Sequence, residues 1–291
     1  MFRLKSLLRR HGISLLLLAG LLVLIPGCAN GLFYYPTRAW EATPETRGQR
    51  WSHETFAASD GTRLSGWWLP AAGEAKGTVV QFHGNALNMS NHVGFLEWLP
   101  AAGYNLFVFD YRGYGRSEGK ISRKGLVRDG VAAIDFAAAK SPDTLLFVWG
   151  QSLGGTVALQ SMLRSNSPVR AAIIDSTFIS YGRIAADNLK RLPWWLIWLR
   201  PLRPLFVSGG LDADDALREM KPLPLFFIHG DHDRVIPYPH SQHLHKLAPG
   251  PNKHLWIIPG AGHCDGVLRF PDTVRPILLR FLADPDAFTM E

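Results

Sequence analysis

Gly150-Gln151-Ser152-Leu153-Gly154-Gly155 follows the apolar run Leu145–Trp149 and opens a segment of helical spacing, Leu153–Arg164. The pattern G-x-S-x-G is weak by itself, because Gly and Ser are common. Its place between a strand and a helix gives it meaning. A turn this sharp strains the backbone of its central residue, and side chains at the flanking positions would collide with the adjoining strand and helix. Glycine at 150 and 154 relieves the collision. The strain lifts the Ser152 hydroxyl above the sheet, at the N-terminus of the following helix.

Working outward, short continuous apolar runs recur at Thr78–Phe82, Asn105–Phe109, Ala171–Ile174, Leu225–Ile228 and His254–Ile258. Segments of helical spacing lie between or after them, at Met89–Ala101, Lys124–Ala139, Pro239–Leu247 and Val267–Leu282. Trp51–Phe56 and Leu64–Leu69 flank the turn Ser59-Asp60-Gly61-Thr62 and read as a hairpin. Buried strands alternating with helices predict an α/β fold with a mainly parallel central sheet covered by helices on both faces. The hairpin adds an antiparallel edge. One domain therefore runs over 51–291, and only about 178–222 breaks the alternation, as a small lid insertion.

A serine hydroxyl needs a base to attack at neutral pH. Two loops at strand ends offer partners in order: His229-Gly230-Asp231-His232-Asp233-Arg234-Val235-Ile236-Pro237, then Pro259-Gly260-Ala261-Gly262-His263. Asp231 and Asp233 compete as the acid. His229, His232, Asp231 and Asp233 could also be read as a metal cluster, but a triad turn explains so compact a loop better. No metal or other cofactor is expected.

From about residue 50 to the C-terminus the chain resembles the α/β-hydrolase superfamily, and within it the membrane-associated bacterial branch with H-G-N and G-Q-S-L-G-G motifs. His83-Gly84-Asn85 after the third strand and Asp110-Tyr111-Arg112-Gly113-Tyr114-Gly115-Arg116-Ser117 after the fourth carry the same likeness. The resemblance implies an α/β-hydrolase fold with Ser152 as nucleophile. Its H-G-x-x-D-x-x-V-P register maps the acid onto Asp233 rather than Asp231, and its G-H maps the base onto His263. The backbone N–H groups of Asn85 and Leu153 would form the oxyanion hole. The implied activity is hydrolysis of carboxylic esters through an acyl-enzyme, carboxylesterase or lysophospholipase-like. A serine peptidase or amidase would use the same triad. A non-catalytic envelope lipoprotein that keeps the fold for binding is the alternative from another class.

The 291 residues carry a formal charge of +7, with 47% hydrophobic and 19% charged residues, a composition of an ordered globular protein. Four cations, Arg3, Lys5, Arg9 and Arg10, lie in residues 1–27, which hold no acid; the remainder carries only +3. That charge argues against nucleic acid as a partner. The basic head precedes the thirteen-residue apolar run Ile13–Ile25, too short to span a bilayer and suited to a signal peptide. Ile25-Pro26-Gly27-Cys28 resembles the lipobox of bacterial lipoproteins, which places a signal peptide at 1–27, a diacylglycerol on Cys28 and a tether over 28–50. Pro26 is unusual there, and an uncleaved anchor is the other reading. Either way the expectation is a monomer held at a membrane in the cell envelope, facing the periplasm, with a small-molecule or lipid-like ester as substrate. Ala29, where Asp would stand for the other sorting, resembles the outer-membrane pattern. With Cys28 lipidated, Cys264 has no disulfide partner.

Other features read plainly. Leu32-Phe33-Tyr34-Tyr35-Pro36 is too apolar for a free linker and should dock on the domain. Gly113-Tyr114-Gly115 lacks a full dinucleotide or Walker pattern and reads as a rigid turn near the pocket. Arg112 and Arg116 read as surface or structural ion-pair residues rather than substrate contacts. His240, His243 and His245 fall on or near one helix and read as solvated. Cys264 reads as a buried small residue or a thiol at the site edge. Trp194, Trp195 and Trp198, between Pro193 and Pro201, form either a lid touching lipid headgroups or a cap packed over the sheet.

Overall fold

The computed structural model describes residues 33–189, 207 and 209–290. The signal-peptide, lipidation and sorting readings (residues 1–27, Cys28 and Ala29) and the tryptophans of the insertion lie outside the described residues. The chain divides into two compact units, one of residues 1–34 and 181–209, the other of 35–180 and 210–291. In the first, the described part is essentially helix α4 (Tyr181–Leu189), with Phe33 edge-on to Tyr181.

The second unit is built on eight strands: β1 (Ser52–Ala57), β2 (Arg63–Leu69), β3 (Gly77–Phe82), β4 (Tyr104–Asp110), β5 (Leu146–Gln151), β6 (Val169–Asp175), β7 (Leu225–Gly230) and β8 (Lys253–Ile258). They lie side by side in the order β8-β7-β6-β5-β3-β4-β2-β1. Strands β3 to β8 run parallel, and β2 pairs antiparallel with both β4 and β1. Every residue of β3, β4, β5 and β7 is buried, because helices cover both faces; β1, at the edge, is largely exposed. The hairpin closes through Ala58 N–H to Thr62 O (2.9 Å) and Gly61 N–H to Ala58 O (2.8 Å). This is the parallel α/β-hydrolase sheet with an antiparallel edge that the sequence predicts.

The helices of this unit are α1 (Met89–His92), α2 (Arg123–Lys140), α3 (Leu153–Met162), α5 (Ala213–Glu219), α6 (Pro239–Leu247), α7 (Gly266–Arg269) and α8 (Pro271–Ala283). Ser122 caps α2 by accepting from Gly125 N–H (3.1 Å). Two helices are shorter than the spacing predicts. The segment expected over Met89–Ala101 is α-helical only to His92 and then tightens into a 3-10 turn, Val93–Phe95; Gln81 Nε2 takes the His92 carbonyl (2.8 Å) that a longer helix would use. The segment over Val267–Leu282 breaks at Phe270, because Pro271 disfavours a helical residue before it and starts α8 afresh.

Residues 35–50 are built into this body. Tyr35–Pro36 pairs with Ala86–Leu87, Trp40 packs edge-on against Trp67 (4.9 Å), and Arg47 bridges to Glu97 (2.9 Å). Of the span read as a lid insertion, α5 also belongs here: Asp212, just before it, gives its carbonyl to Gln160 Nε2 on α3 (2.5 Å). His240, expected in solvent, is buried and accepts from Ile179 N–H through Nδ1 (3.0 Å), whereas His243 is exposed.

Candidate active site

The turn from β5 to α3 has the strain its sequence announces. Ser152 sits at φ 54°, ψ −121°, a conformation that L side chains rarely adopt. Hydrogen bonds hold it there: Ser152 N–H donates to Asp175 O (2.8 Å), and Gly155 N–H (3.0 Å) and Thr177 Oγ1 both donate to Ser152 O. A Cβ at Gly150 would come within 2.6 Å of Gly155 Cα, and one at Gly154 would overlap the Phe82 carbonyl oxygen. Gly155 is equally confined, against Thr177. Gly150 and Gly154 are required by close backbone approach, as expected, and Gly155 by the Thr177 side chain.

The loops after β3, β5, β7 and β8 meet at one end of the sheet, where open α/β sheets place their sites. His263, after β8, points Nδ1 at Asp233 Oδ2 (2.7 Å); its side chain is 23% exposed, the Asp233 carboxyl fully enclosed. A neutral imidazole facing a carboxylate keeps its proton on Nδ1 and leaves Nε2 as an acceptor. Burial alone would raise the Asp233 carboxyl. The hydrogen bonds from His229 and His263, with the charge of His263 and the Ile236 N–H bond, outweigh it and hold Asp233 well below the usual carboxylate range. Its second oxygen accepts from Val235 N–H (2.7 Å) and Ile236 N–H (2.9 Å). Asp231 does something else. Its Oδ1 accepts from Gly260 N–H (2.7 Å) and ties the two loops together.

His229, read from sequence only as a potential metal ligand, has a defined place beneath this pair. Its ring is buried, Nε2 facing Ile236 O (2.8 Å) and Asp233 Oδ2 (3.1 Å), Nδ1 facing the Ser241 hydroxyl (2.7 Å). Two acceptors on one side put the proton on Nε2. His232 is exposed and lies 4.0 Å from Asp231, while His229 faces Asp233, so the four residues of the loop form two pairs rather than a common centre.

Ser152, His263, Gly84, Asn85, Ala86 and Phe95 line one cavity of about 150 Å³, completed by His92, Gln151 and Cys264. Gly84 stands directly over the serine: a Cβ there would meet Ser152 Cβ at 3.7 Å and His92 Cε1 at 3.1 Å. As the first residue of α3, Leu153 has a backbone N–H with no acceptor inside the helix. Asn85 is fixed through its carbonyl, which accepts from Tyr35 N–H (3.0 Å) and Tyr114 Oη (2.8 Å). The Gly113-Tyr114-Gly115 turn, with φ of 80° and 45° at its glycines, is therefore a brace for the His83–Asn85 loop.

A second brace was not visible in the sequence. Asp110 is buried at the end of β4, accepting from Met89 N–H (2.8 Å) and Trp40 Nε1 (3.3 Å), 3.7 Å from His83 Nε2. Burial raises its carboxyl to about 7 in spite of those donors. His83 is pushed far below its ordinary value by burial and is neutral. Arg112 is structural: it forks onto Asp129 (2.7 and 3.0 Å) and Asp60 (2.9 and 3.2 Å). Arg116 lies over the Trp40 ring at 3.7 Å. The Cys264 thiol is buried and raised by that burial, which keeps it un-ionised.

With the geometry described, the chain can be set beside known proteins. The family model described as serine aminopeptidase, S33, matches residues 73–221. The uncharacterized protein YfhR of Escherichia coli K12 is 36% identical over 271 residues, 89% of each chain. The α/β hydrolase domain-containing protein WAV2 of Arabidopsis thaliana is 29% identical over 289 residues, covering 94% of this chain and 92% of that one. Among solved structures, the Pyrococcus furiosus esterase Pf2001 superposes with a TM-score of 0.68 at 25% identity, over 86% of this chain and 97% of its own.

Proposed function

Because the chain belongs to the serine aminopeptidase S33 family of the α/β-hydrolase superfamily, and is a hydrolase, we propose that it cleaves carboxylic esters through an acyl-enzyme on Ser152. The observation that carries this reading is the cavity shared by Ser152 and His263, with Asp233 2.7 Å behind the imidazole. Ser152 Oγ attacks the ester carbonyl while its proton passes to His263 Nε2. Asp233 holds the ring in the Nδ1–H tautomer and stabilises the imidazolium. The developing oxyanion takes hydrogen bonds from the backbone N–H groups of Leu153 and Asn85, each worth about 3–4 kcal/mol in such sites. Collapse breaks the ester C–O bond, and His263 returns the proton to the leaving alcohol. Water, deprotonated by His263, then attacks the acyl-enzyme and releases the acid.

Esters are favoured over peptides by the cavity's lining. Ala86, Phe95 and the glycine of the H-G-N loop suit an acyl group, and none of the described residues lining it is an Asp or Glu able to hold a peptide's N-terminal ammonium. Aminopeptidase activity stands as the second reading on the family's description alone. A fluorophosphonate probe on the purified chain and on Ser152→Ala tests the nucleophile; absence of labelling in the intact chain rejects it. p-Nitrophenyl esters of graded acyl length beside aminoacyl p-nitroanilides test the substrate, and faster turnover of the anilides rejects the ester reading.

We further propose that residues 1–27 are an export signal and that Cys28 carries a lipid which holds the enzyme at the envelope membrane, facing the periplasm. Mass spectrometry of the mature N-terminus tests this. An intact Met1 rejects it.

A further inference from the structure

Large apolar side chains are unevenly exposed on the main body. Among the described residues seven are exposed, and five of these, Tyr35, Leu87, Val235, Tyr238 and Leu268, lie at the end of the sheet that carries Ser152, each 37–57% accessible. Tyr35 and Leu87 belong to the short pairing at the loop after β3. Val235 and Tyr238 belong to the loop after β7, and Leu268 to α7 after β8. None of the five lines the catalytic cavity. Scattered surface hydrophobics need no explanation, but concentration around one site does.

Cations accompany them. Arg234 and Arg269 are the chain neighbours of Val235 and Leu268, and with His232 they line one open groove of about 480 Å³. Of the acids in that groove, Asp231 is bonded to Gly260 N–H and Asp233 is enclosed against His229 and His263. An apolar tip beside an arginine, twice over, with Tyr35 and Tyr238 at the same end of the sheet, is the chemistry of the bilayer interface.

The approach of the chain gives the same direction. Tyr35 is already paired at this edge, and Cys28, proposed above to carry the lipid, is seven residues earlier. Fully extended, those seven residues reach at most about 25 Å. A lipid on Cys28 therefore holds Tyr35 within that reach of the membrane surface.

We propose that the end of the sheet bearing Ser152 docks on an anionic lipid surface through Tyr35, Leu87, Val235, Tyr238 and Leu268, with Arg234 and Arg269 meeting the headgroups. The direction of approach rests on the membrane reading of the N-terminal segment; the contact surface itself does not. Docked in this way, the enzyme receives its ester from the interface rather than from bulk solution.

The test is hydrogen exchange of the full chain in detergent micelles, on phosphatidylcholine vesicles and on phosphatidylcholine–phosphatidylglycerol vesicles. On the anionic vesicles, peptides covering 232–238 and 266–270 should exchange about fivefold more slowly or better, relative to micelles. The variants Val235→Ser/Leu268→Ser and Arg234→Glu/Arg269→Glu should lose that protection and still float with vesicles. Flotation with unchanged exchange overturns the docking surface alone. Protection centred on Leu145, at the opposite end of β5, overturns it too. Failure of the full chain to float overturns both this surface and the membrane reading.

Discussion

His229 Nε2 lies 3.1 Å from Asp233 Oδ2, the oxygen that also faces His263 at 2.7 Å. One carboxylate thus sits between two imidazoles, one enclosed and one open to the cavity. The enclosed ring is itself pinned by Ile236 O and Ser241 Oγ, so Asp233 is aimed from beneath before substrate arrives. In His229→Ala, Ser241 and Ile236 lose a partner and the acid can rotate. Expected is a stability loss of about 2–4 kcal/mol by urea unfolding, with kcat down roughly tenfold or more and KM little changed. An unchanged kcat in a destabilised variant would limit His229 to a packing role.

The division of labour between the two acids of this loop gives a sharper comparison. Asp233→Asn leaves the shape but removes the charge that fixes the His263 tautomer, and kcat should fall by about 10⁴. Asp231→Asn removes only a charge and should stay within roughly threefold of the parent enzyme, because its neutral amide oxygen still accepts from Gly260 N–H. If Asp231→Asn is the more damaging change in a steady-state ester assay, the acid has been assigned to the wrong residue.

Much of this was legible in the sequence because the features are local. The sheet could be read from short buried runs, and the turn at Ser152 from glycines whose absent side chains face backbone, such as Gly154 against the Phe82 carbonyl. Asp233 and His263 follow β7 and β8 in the order expected. Features that depend on distant residues were not legible. Asp110 looked like one member of a D-Y-R-G-Y-G stretch, yet its role comes from Met89 and Trp40, 21 and 70 residues away. The early end of α1 depends on Gln81 capturing the His92 carbonyl, and the burial of His240 on Ile179. Periodicity reports which face of an element is apolar, not which polar group a remote loop will satisfy.

Gly154 offers a test of the turn itself. Gly154→Ala places a methyl group against the backbone of Phe82 and His83, neither of which can swing aside as a flexible side chain could. The strain falls on the loop that carries Gly84 and Asn85. Stability should drop by about 2–3 kcal/mol or more, and fluorophosphonate labelling of Ser152 should slow at least tenfold in the fraction that folds. Normal labelling would mean that the two loops can separate without disturbing the site.

Arg112 and Asp129 form the main buried ion pair outside the site, the acid side chain fully enclosed and the arginine shared with the half-exposed Asp60. Removing the cation strands Asp129. Arg112→Ala should therefore destabilise by about 3–5 kcal/mol, whereas Asp60→Ala, whose partner keeps Asp129, should remain near 1 kcal/mol. Equal losses in chemical denaturation would show that the exposed half of the network carries as much as the buried half.

Asp110 gives stability a pH dependence of known sign. Burial raises its folded-state carboxyl to about 7 from an ordinary 3.8, the bonds from Met89 and Trp40 notwithstanding. Between about pH 4 and pH 7 the unfolded chain has released this proton while the folded protein keeps it, so the group's contribution to stability falls as pH rises and levels off above 7. Asp175, raised by burial to about 6, acts in the same direction. Asp233, held below the usual range, acts oppositely but only in more acid solution. A difference between two proteins isolates Asp110. Asp110→Asn cannot ionise and keeps an oxygen for Met89 N–H, so relative to the parent it should gain about 2–3 kcal/mol between pH 5 and pH 8. Urea unfolding of both proteins at the two pH values measures this. Parallel behaviour would mean that Asp110 is ionised in the folded enzyme, with His83, 3.7 Å away, as the nearest group able to share its proton.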